Sequence, residues 1–493
     1  MIERTRGRRA AGEDIGRLGL LLALLIGGLL RLWDLTSASQ HTDEAFTFAL
    51  SAMPIPALLA NVAAHDFHPP LFYLVTHYLM VWLPKPQWDY RFITALAGCL
   101  TIVGSWGAAR RMFGPVAAAV AALAVALAPA LVQHDRIYRM YALTVALSTL
   151  LWWLVLEIEH ASGRRRAWLT ATYAVLAVAL PSIDYFGFLV LLTQGAYALT
   201  RRASLWPVLA AIGISFAAFV PWFGALREQL PLAGISMSRP GIDVGLAKSI
   251  QGAFAAGMPD AWLSWPGAAF APALVLAVVV LVAGWLGRKS ALPFWIGALA
   301  LQIAGSLLLV KNLAYFPRYL LIDVPPVCIA IGLIVCELIA ARLRLAAAAL
   351  GIALVTFFAI TISNVMFVPY YQFPDWYALN ALMLAHEQPG DAVILDAGYE
   401  AYVVHDFTAF RGREVLRFMN PSDFDPLLRW IAHHPRRRVW YVQAQNFYWD
   451  PSARIASELE RTRPAVLRRR WPRQSPVDDV LLILFDKKPM TIR

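Results

Sequence analysis

The chain has little charge. Of 493 residues, 15% are Asp, Glu, Lys or Arg and 59% are hydrophobic. A soluble protein of this length carries about a quarter charged residues, so composition excludes an ordinary soluble globule and points to a multi-pass membrane protein. Cysteine is scarce as well. Cys99, Cys328 and Cys336 all lie inside apolar runs, which reads as packed core and excludes a disulfide framework or a cysteine metal site. There is no Walker loop, no GxGxxG after a strand pattern and no GxSxG; a soluble nucleotide donor therefore finds no cradle. Internal repeats and low-complexity segments are missing too. The net charge of +11 is not a nucleic-acid footprint, because the basic residues form short clusters between apolar runs, a topology signal. No nucleic-acid partner is expected.

What is present is hydrocarbon in span-sized pieces. A helix needs about 20 apolar residues to cross roughly 30 Å of bilayer core. About eleven stretches qualify: 16–36, 91–109, 114–131, 140–158, 167–181, 185–200, 204–223, 267–286, 291–310, 319–340 and 345–367. The break between the fifth and sixth, Pro181–Asp184, is small. The first stretch follows a basic start without a clear small-residue cleavage site, so it reads as a retained span. Arg and Lys cluster before the first span and at Arg110-Arg111, Arg164–Arg166, Arg201-Arg202, Arg288-Lys289 and Arg342/Arg344. If all face the cytoplasm, eleven spans thread with the N-terminus inside and the C-terminus outside.

This threading divides the chain into a membrane domain, 1–367, and an extracytoplasmic domain, 368–493. The first outer loop is 37–90. Within it, Asp43–Ser51 reads as a short helix capped by Thr42, Pro54–Ala64 as a second, and Leu71–Leu83 as an interfacial helix too short to span. After Tyr370 charge rises and strand patterns appear at Asp391–Asp396, Arg438–Val442 and Asp479–Phe485. Helical stretches fall at Trp376–His386, Tyr399–Phe410, Phe424–His433 and Pro451–Glu460, which together predict a small α/β domain. Its Arg436–Arg438 and Arg468–Arg470 runs read either as a solvated surface or as a contact for anionic headgroups or an acidic glycan.

Polar residues gather in the outer loops and the span ends beside them. A transporter would scatter them near the midplane on broken helices; clustering at one face argues for a reaction at the outer surface. The acid pair Asp43-Glu44 reads as a helix N-terminal turn or, in a desolvated cavity, as a base. Arg139 and Arg318 each sit at the outer end of a span with a tyrosine close behind, Tyr141 and Tyr319. Either could snorkel to headgroups; together with Lys311 they suit a phosphate, which a guanidinium fork binds well. His65, Asp66, His68 and His134 include an H-x-x-H pair, but Pro69-Pro70 opposes a regular helix there. No cofactor is called for, and a divalent metal stays open.

In order, the loop Asp43-Glu44, the run H-x-x-HPPLFYL, the span start Arg139-x-Tyr141-Ala-Leu and the late PRYLL resemble the GT-C glycosyltransferases. More narrowly, they are similar to the bacterial branch of the protein O-mannosyltransferase and aminoarabinose-transferase superfamily. The resemblance covers roughly 16–367. It implies a polytopic α-helical membrane enzyme that moves a sugar from a polyprenyl-phosphate carrier to a lipid, glycan or protein acceptor, outside the cytoplasmic membrane of a bacterium. Asp43 would be the general base of a single inverting displacement, and Glu44 would position it or contact the acceptor. Arg139 and Arg318 would hold the donor phosphate, with His65 and His68 beside the sugar cavity. Asp184, before Tyr185, stands where such proteins often carry His, leaving the sugar open. Two rivals from other classes are a lipid-linked-glycan flippase and a non-catalytic membrane scaffold.

Overall fold

The structure, a computed structural model, describes residues 2–83, 87–201, 205–232, 242–263, 270–309, 317–397, 411, 413–418, 421–435, 437–444, 450, 452–473 and 479–486. The chain divides into two compact units: Met1–Leu35 with Leu50–Val365, and Thr36–Ala49 with Met366–Arg493.

The first unit is helical. Its elements begin with α1 (Ile2–Leu32); α2 (Thr42–Ser51) enters from the second unit. There follow α3 (Ile55–His65), α4 (Leu71–Trp82), α5 (Arg91–Phe113), α6 (Pro115–Ala126), α7 (Pro129–Asp135), α8 (Met140–His160), α9 (Gly163–Ile183), α10 (Gly187–Thr200), α11 (Leu205–Phe219), α12 (Phe223–Leu232) and α13 (Ile242–Phe254). Then come α14 (Ala271–Leu286), α15 (Leu292–Leu309), a 3-10 turn at Pro317–Asp323, α16 (Val324–Ala340) and α17 (Arg344–Phe367).

Among the described residues, 7 helical stretches are long and apolar enough to cross a membrane, or up to 8 if α6 and α7, bent by 57° at their junction, count as one. Gly187–Thr200, Ala271–Leu286 and Leu292–Ala304 are apolar but shorter. Each of the eleven expected stretches coincides with one of these, so the architecture is that of a multi-pass membrane protein. The span expected to end at 223 runs on to Gln229, because α11 passes through a short 3-10 turn into α12 without a polar break. The helix α4 has two faces: Phe72, Tyr73 and Thr76 are buried, whereas Val75, Tyr78 and Trp82 are exposed.

Small residues let these helices approach without aqueous hydrophobic pressure. The α1 leucines Leu21, Leu25 and Leu29 face outward, while Ala23 is buried. A Cβ on Gly19 would collide with Ala119 of α6, so α1 and α6 touch backbone to backbone. The basic clusters collect at one end. Arg110 pairs with Glu13 at 2.6 Å, Arg165 with Glu157 at 2.7 Å and Arg111 with Glu157 at 3.4 Å, and Arg201 donates to the Lys289 carbonyl at 2.5 Å.

The second unit contains α18 (Trp376–His386), β1 (Ala392–Asp396), β2 (Glu414–Phe418), α19 (Phe424–His433), β3 (Val439–Ala444), α20 (Arg454–Thr462), β4 (Ala465–Trp471) and β5 (Val480–Phe485). The sheet order is β2-β1-β3-β5-β4. The first three strands are parallel, with Asp396 opposite Phe418 and Gln443; β5 runs antiparallel to β3 and β4. Continuous apolar strands fit a sheet covered on both sides. One side packs Trp440, Val393 and Leu482 against Trp376 and Met383 of α18, with Ala45 of α2 in the same core. The other packs Ile394, Tyr441 and Ile483 against α19 and α20.

Three strands and three helices lie where the sequence pattern predicts them. The helix expected near Tyr399–Phe410 lies outside the described residues, as does Arg436. The strands β2 and β4 are additions. In β4 the arginine run hides the alternation, and its charges are answered locally: Arg468 by Glu460 and Arg470 by Asp479, both at 2.5 Å. Arg437 likewise pairs with Glu414. This pairing favours the solvated-surface reading of the basic runs.

Candidate active site

In the first unit the polar residues converge between α3, α4, α8 and the 184–186 turn. The helix α3 stops at Asp66, which turns extended (φ −114°, ψ 170°), three residues before the Pro69-Pro70 step, whose rings cannot sit in a helix interior. The free segment is tied down by its own acid. Asp66 Oδ1 accepts from the Phe67 N–H at 2.7 Å and lies 3.0 Å from His68 Nδ1. Asp66 and His68 are buried, while His65 ends exposed on the last turn of α3. The two histidines therefore do not share a helical face.

Arg139 is the buried N-cap of α8 and is also extended (φ −139°, ψ 162°). Its Nη1 donates to the Tyr73 hydroxyl at 3.0 Å. Tyr141 is the hub of the cluster. The Arg139 guanidinium lies 5.8 Å from its ring centroid and the Arg318 guanidinium 6.0 Å, distances at which a cation feels the ring's negative face. The rings of His68 and His134 each approach Tyr141 edge-on at 6.2 Å. Arg318 also lies 5.7 Å over Tyr319, whose ring meets Phe186 at 5.5 Å.

Asp184, buried, accepts from the Phe186 N–H at 3.0 Å and from the Thr144 hydroxyl at 3.4 Å, within electrostatic reach of His68 and Arg139. Next to it, the Tyr185 hydroxyl donates to Gln229 Oε1 at 2.5 Å and accepts from Trp222 at 2.8 Å, and Gln229 Nε2 donates to the Val62 carbonyl at 2.7 Å.

The charges around Asp66 decide its state. Burial pushes its carboxyl up, but His68, Arg139 and the Tyr73 hydroxyl outweigh burial and hold it below its ordinary 3.8. Of the sequence candidates, the first unit brings together His68, Arg139, Tyr141, Asp184, Arg318 and Tyr319. Lys311 lies outside the described residues. Tyr73 was not among the candidates; its signal was its place on the inward face of α4, directly after HPPLF. Among the described residues no three His, Cys, Asp or Glu side chains are placed to hold a metal ion.

Asp43 and Glu44 belong to the second unit. The helix α2 starts at Thr42, and the cap is His41, one residue earlier than expected. The His41 N–H donates to Glu44 Oε2 at 2.8 Å, and the Asp43 N–H donates to His41 Nδ1 at 3.1 Å. This is the reciprocal logic of a capping box, with an imidazole in place of a hydroxyl. Glu44 is buried, and Asp43 is half-buried beside it. The turn is anchored farther along the chain: the His41 ring packs on Phe373 at 4.4 Å, and Ser39 Oγ donates to the Pro374 carbonyl at 2.9 Å while accepting from the Trp376 N–H at 3.1 Å.

The described residues thus form a multi-helix membrane unit with a polar cluster at its helix ends and an α/β unit of mixed sheet. Residues 67–224 match the family model described as dolichyl-phosphate-mannose-protein mannosyltransferase. The fold is similar to apo ArnT from Cupriavidus metallidurans, with TM-score 0.54 at 14% identity, covering 95% of this chain and 97% of that one. The same protein bound to undecaprenyl phosphate gives 0.51 at 14% identity, covering 94% and 97%. The archaeal oligosaccharyltransferase AglB from Archaeoglobus fulgidus, solved with an inhibitory peptide and a dolichol-phosphate, gives 0.50 at 13%, covering 88% of this chain and 69% of that one. No curated protein matches the sequence. The resemblance to GT-C polyprenyl-phosphate-sugar glycosyltransferases read from the sequence is thus borne out; at these identities the structural likeness is one of fold.

Proposed function

We propose that the protein is a membrane glycosyltransferase that moves a sugar from a polyprenyl-phosphate carrier to an acceptor hydroxyl on the outer face of a bacterial cytoplasmic membrane. The observation that carries this reading is the pair of guanidinium groups, Arg139 and Arg318, within 6.0 Å of the one Tyr141 ring. Two fixed forks on an aromatic base suit a phosphate diester and the charge that grows on it as the sugar leaves. The family match over 67–224 and the carrier lipids bound by the similar ArnT and AglB support the same donor class.

In the proposed displacement the Asp43 carboxylate takes the proton of the acceptor hydroxyl. The acceptor oxygen forms a bond to the anomeric carbon from the side opposite the phosphate, and the carbon–oxygen bond to the phosphate breaks. Configuration inverts, and the bond's electrons leave as polyprenyl phosphate, stabilised by Arg139 and Arg318. Glu44 acts on the base through the His41 cap. His68, Asp184 and Tyr319 line the sugar side, and Lys311 adds a third cation for the phosphate.

The test is release of polyprenyl phosphate from polyprenyl-phosphate sugars by the purified chain. Asp43→Asn should lose about 10²- to 10⁴-fold in rate, the usual weight of a general base. Normal turnover by that variant would remove Asp43 from the mechanism. Wild type that carries a lipid-linked sugar across a bilayer without transferring it would favour the flippase.

A further inference from the structure

The helices α6 and α7 meet at a 57° bend. Such a bend strands backbone carbonyls where no water reaches, and each needs a donor. Arg31, fully buried in the last turn of α1, supplies it. Its Nη1 donates to the Ala126 carbonyl at 3.0 Å and to the Gly27 carbonyl of its own helix at 3.1 Å. Its Nη2 lies 3.5 Å from the Val125 carbonyl. Its Nε donates to Asp135 Oδ2 at 2.7 Å, at the far end of α7. One guanidinium thus spans both sides of the bend.

The return contact comes from the next residue along. Arg136 Nη1 donates to the carbonyls of Leu30 at 2.9 Å and Trp33 at 2.6 Å, with longer approaches to Arg31 at 3.4 Å and, from Nη2, to Asp34 at 3.5 Å. These are the carbonyls that the end of α1 leaves open. Each arginine therefore closes the loose backbone of the other's helix. Gly98 of α5 leaves the room: a Cβ there would collide with the Asp135 carboxylate and Arg31 Nε. Three residues after Arg136 stands Arg139, the phosphate candidate.

We propose that Arg31, Asp135 and Arg136 form a reciprocal latch between α1 and the α6–α7 bend. The latch sets the position of Arg139 and so the affinity for the carrier phosphate. Arg31 and Asp135 are positioning residues. The affinity half of the proposal rests on the donor class proposed above; the positional half does not.

The experiment uses the purified full chain, with undecaprenyl phosphate as the probe. Arg31→Lys keeps the charge but loses the fork, and Arg31→Met with Asp135→Leu replaces the pair by apolar side chains, a change that buried pairs often tolerate. Both should weaken undecaprenyl phosphate binding by about tenfold, the worth of a charged hydrogen bond, while the thermal midpoint stays near wild type. Hydrogen exchange in the segment 132–142 should accelerate, with other segments unchanged. Wild-type affinity and wild-type exchange in both variants would overturn the latch. So would a large drop in midpoint with exchange rising everywhere, which marks a merely structural pair. Wild type that binds no undecaprenyl phosphate would fail the donor reading instead, and local acceleration of 132–142 would still support the latch.

Discussion

Asp66 in the first unit and Asp396 in the second are both buried carboxylates, and they are driven in opposite directions. Asp396, at the end of β1, accepts from the Tyr441 hydroxyl at 2.5 Å, and that hydroxyl accepts from Gln443 at 2.8 Å. Burial raises it to about 7, with the Asp450 charge adding to the rise. Asp66 meets the same penalty, yet His68 and Arg139 hold it below its ordinary value. Burial alone neutralises an acid; a carboxylate stays charged in a dry place only beside cations. The first unit gathers its cations where the second gathers hydroxyls and amides. The carrier phosphate proposed above would meet those cations.

Replacing Arg139 with Met breaks the contrast most. It removes a cation from Asp66 and a fork from the phosphate, and sugar transfer should fall about 10²- to 10³-fold, read as polyprenyl phosphate release. Asp66→Asn should cost about tenfold, because it keeps an acceptor for His68 but removes the negative charge beside His68 and Arg139. The donor requirement should rise more than the acceptor requirement.

The second unit offers a pH test. Unfolded Asp396 ionises near 3.8, whereas folded Asp396 keeps its proton to about 7. The folded state thus binds more protons in that window, and its stability falls as pH rises from about 4 to 7. Hydrogen exchange of β1 and β3 amides, corrected for intrinsic rates, should register this loss in wild type and a flat profile in Asp396→Asn. The smallest effect belongs to Asp450→Asn, which removes one neighbouring charge and should shift the upper edge of the same window slightly to lower pH.

Much of this was legible in the sequence. Spans, central strands and α18 announce themselves through local apolar period, which needs no knowledge of partners. Arg139, Arg318 and Tyr141 were legible as Arg–Tyr pairs at span ends. Less legible were features fixed by distant contacts. The cap of α2 is a histidine because its imidazole meets both a backbone N–H and Phe373, more than three hundred positions on. Tyr73 reads as one aromatic among several on α4 until Arg139 donates to it. The strand β4 hides behind three consecutive arginines, two of which pair with Glu460 and Asp479.

The anchoring of the acid turn has a consequence for dissecting the chain. Ala45 shares a core with Trp376 and Val393, and Ser39 bridges Pro374 and Trp376. The carboxyl-terminal unit is therefore not a detachable appendage. A cut at residue 367, or a swap of everything beyond it for another domain, would leave Asp43 on a strip of chain stripped of its supporting core. A chimera that exchanges the second unit must carry residues 36–49 with it.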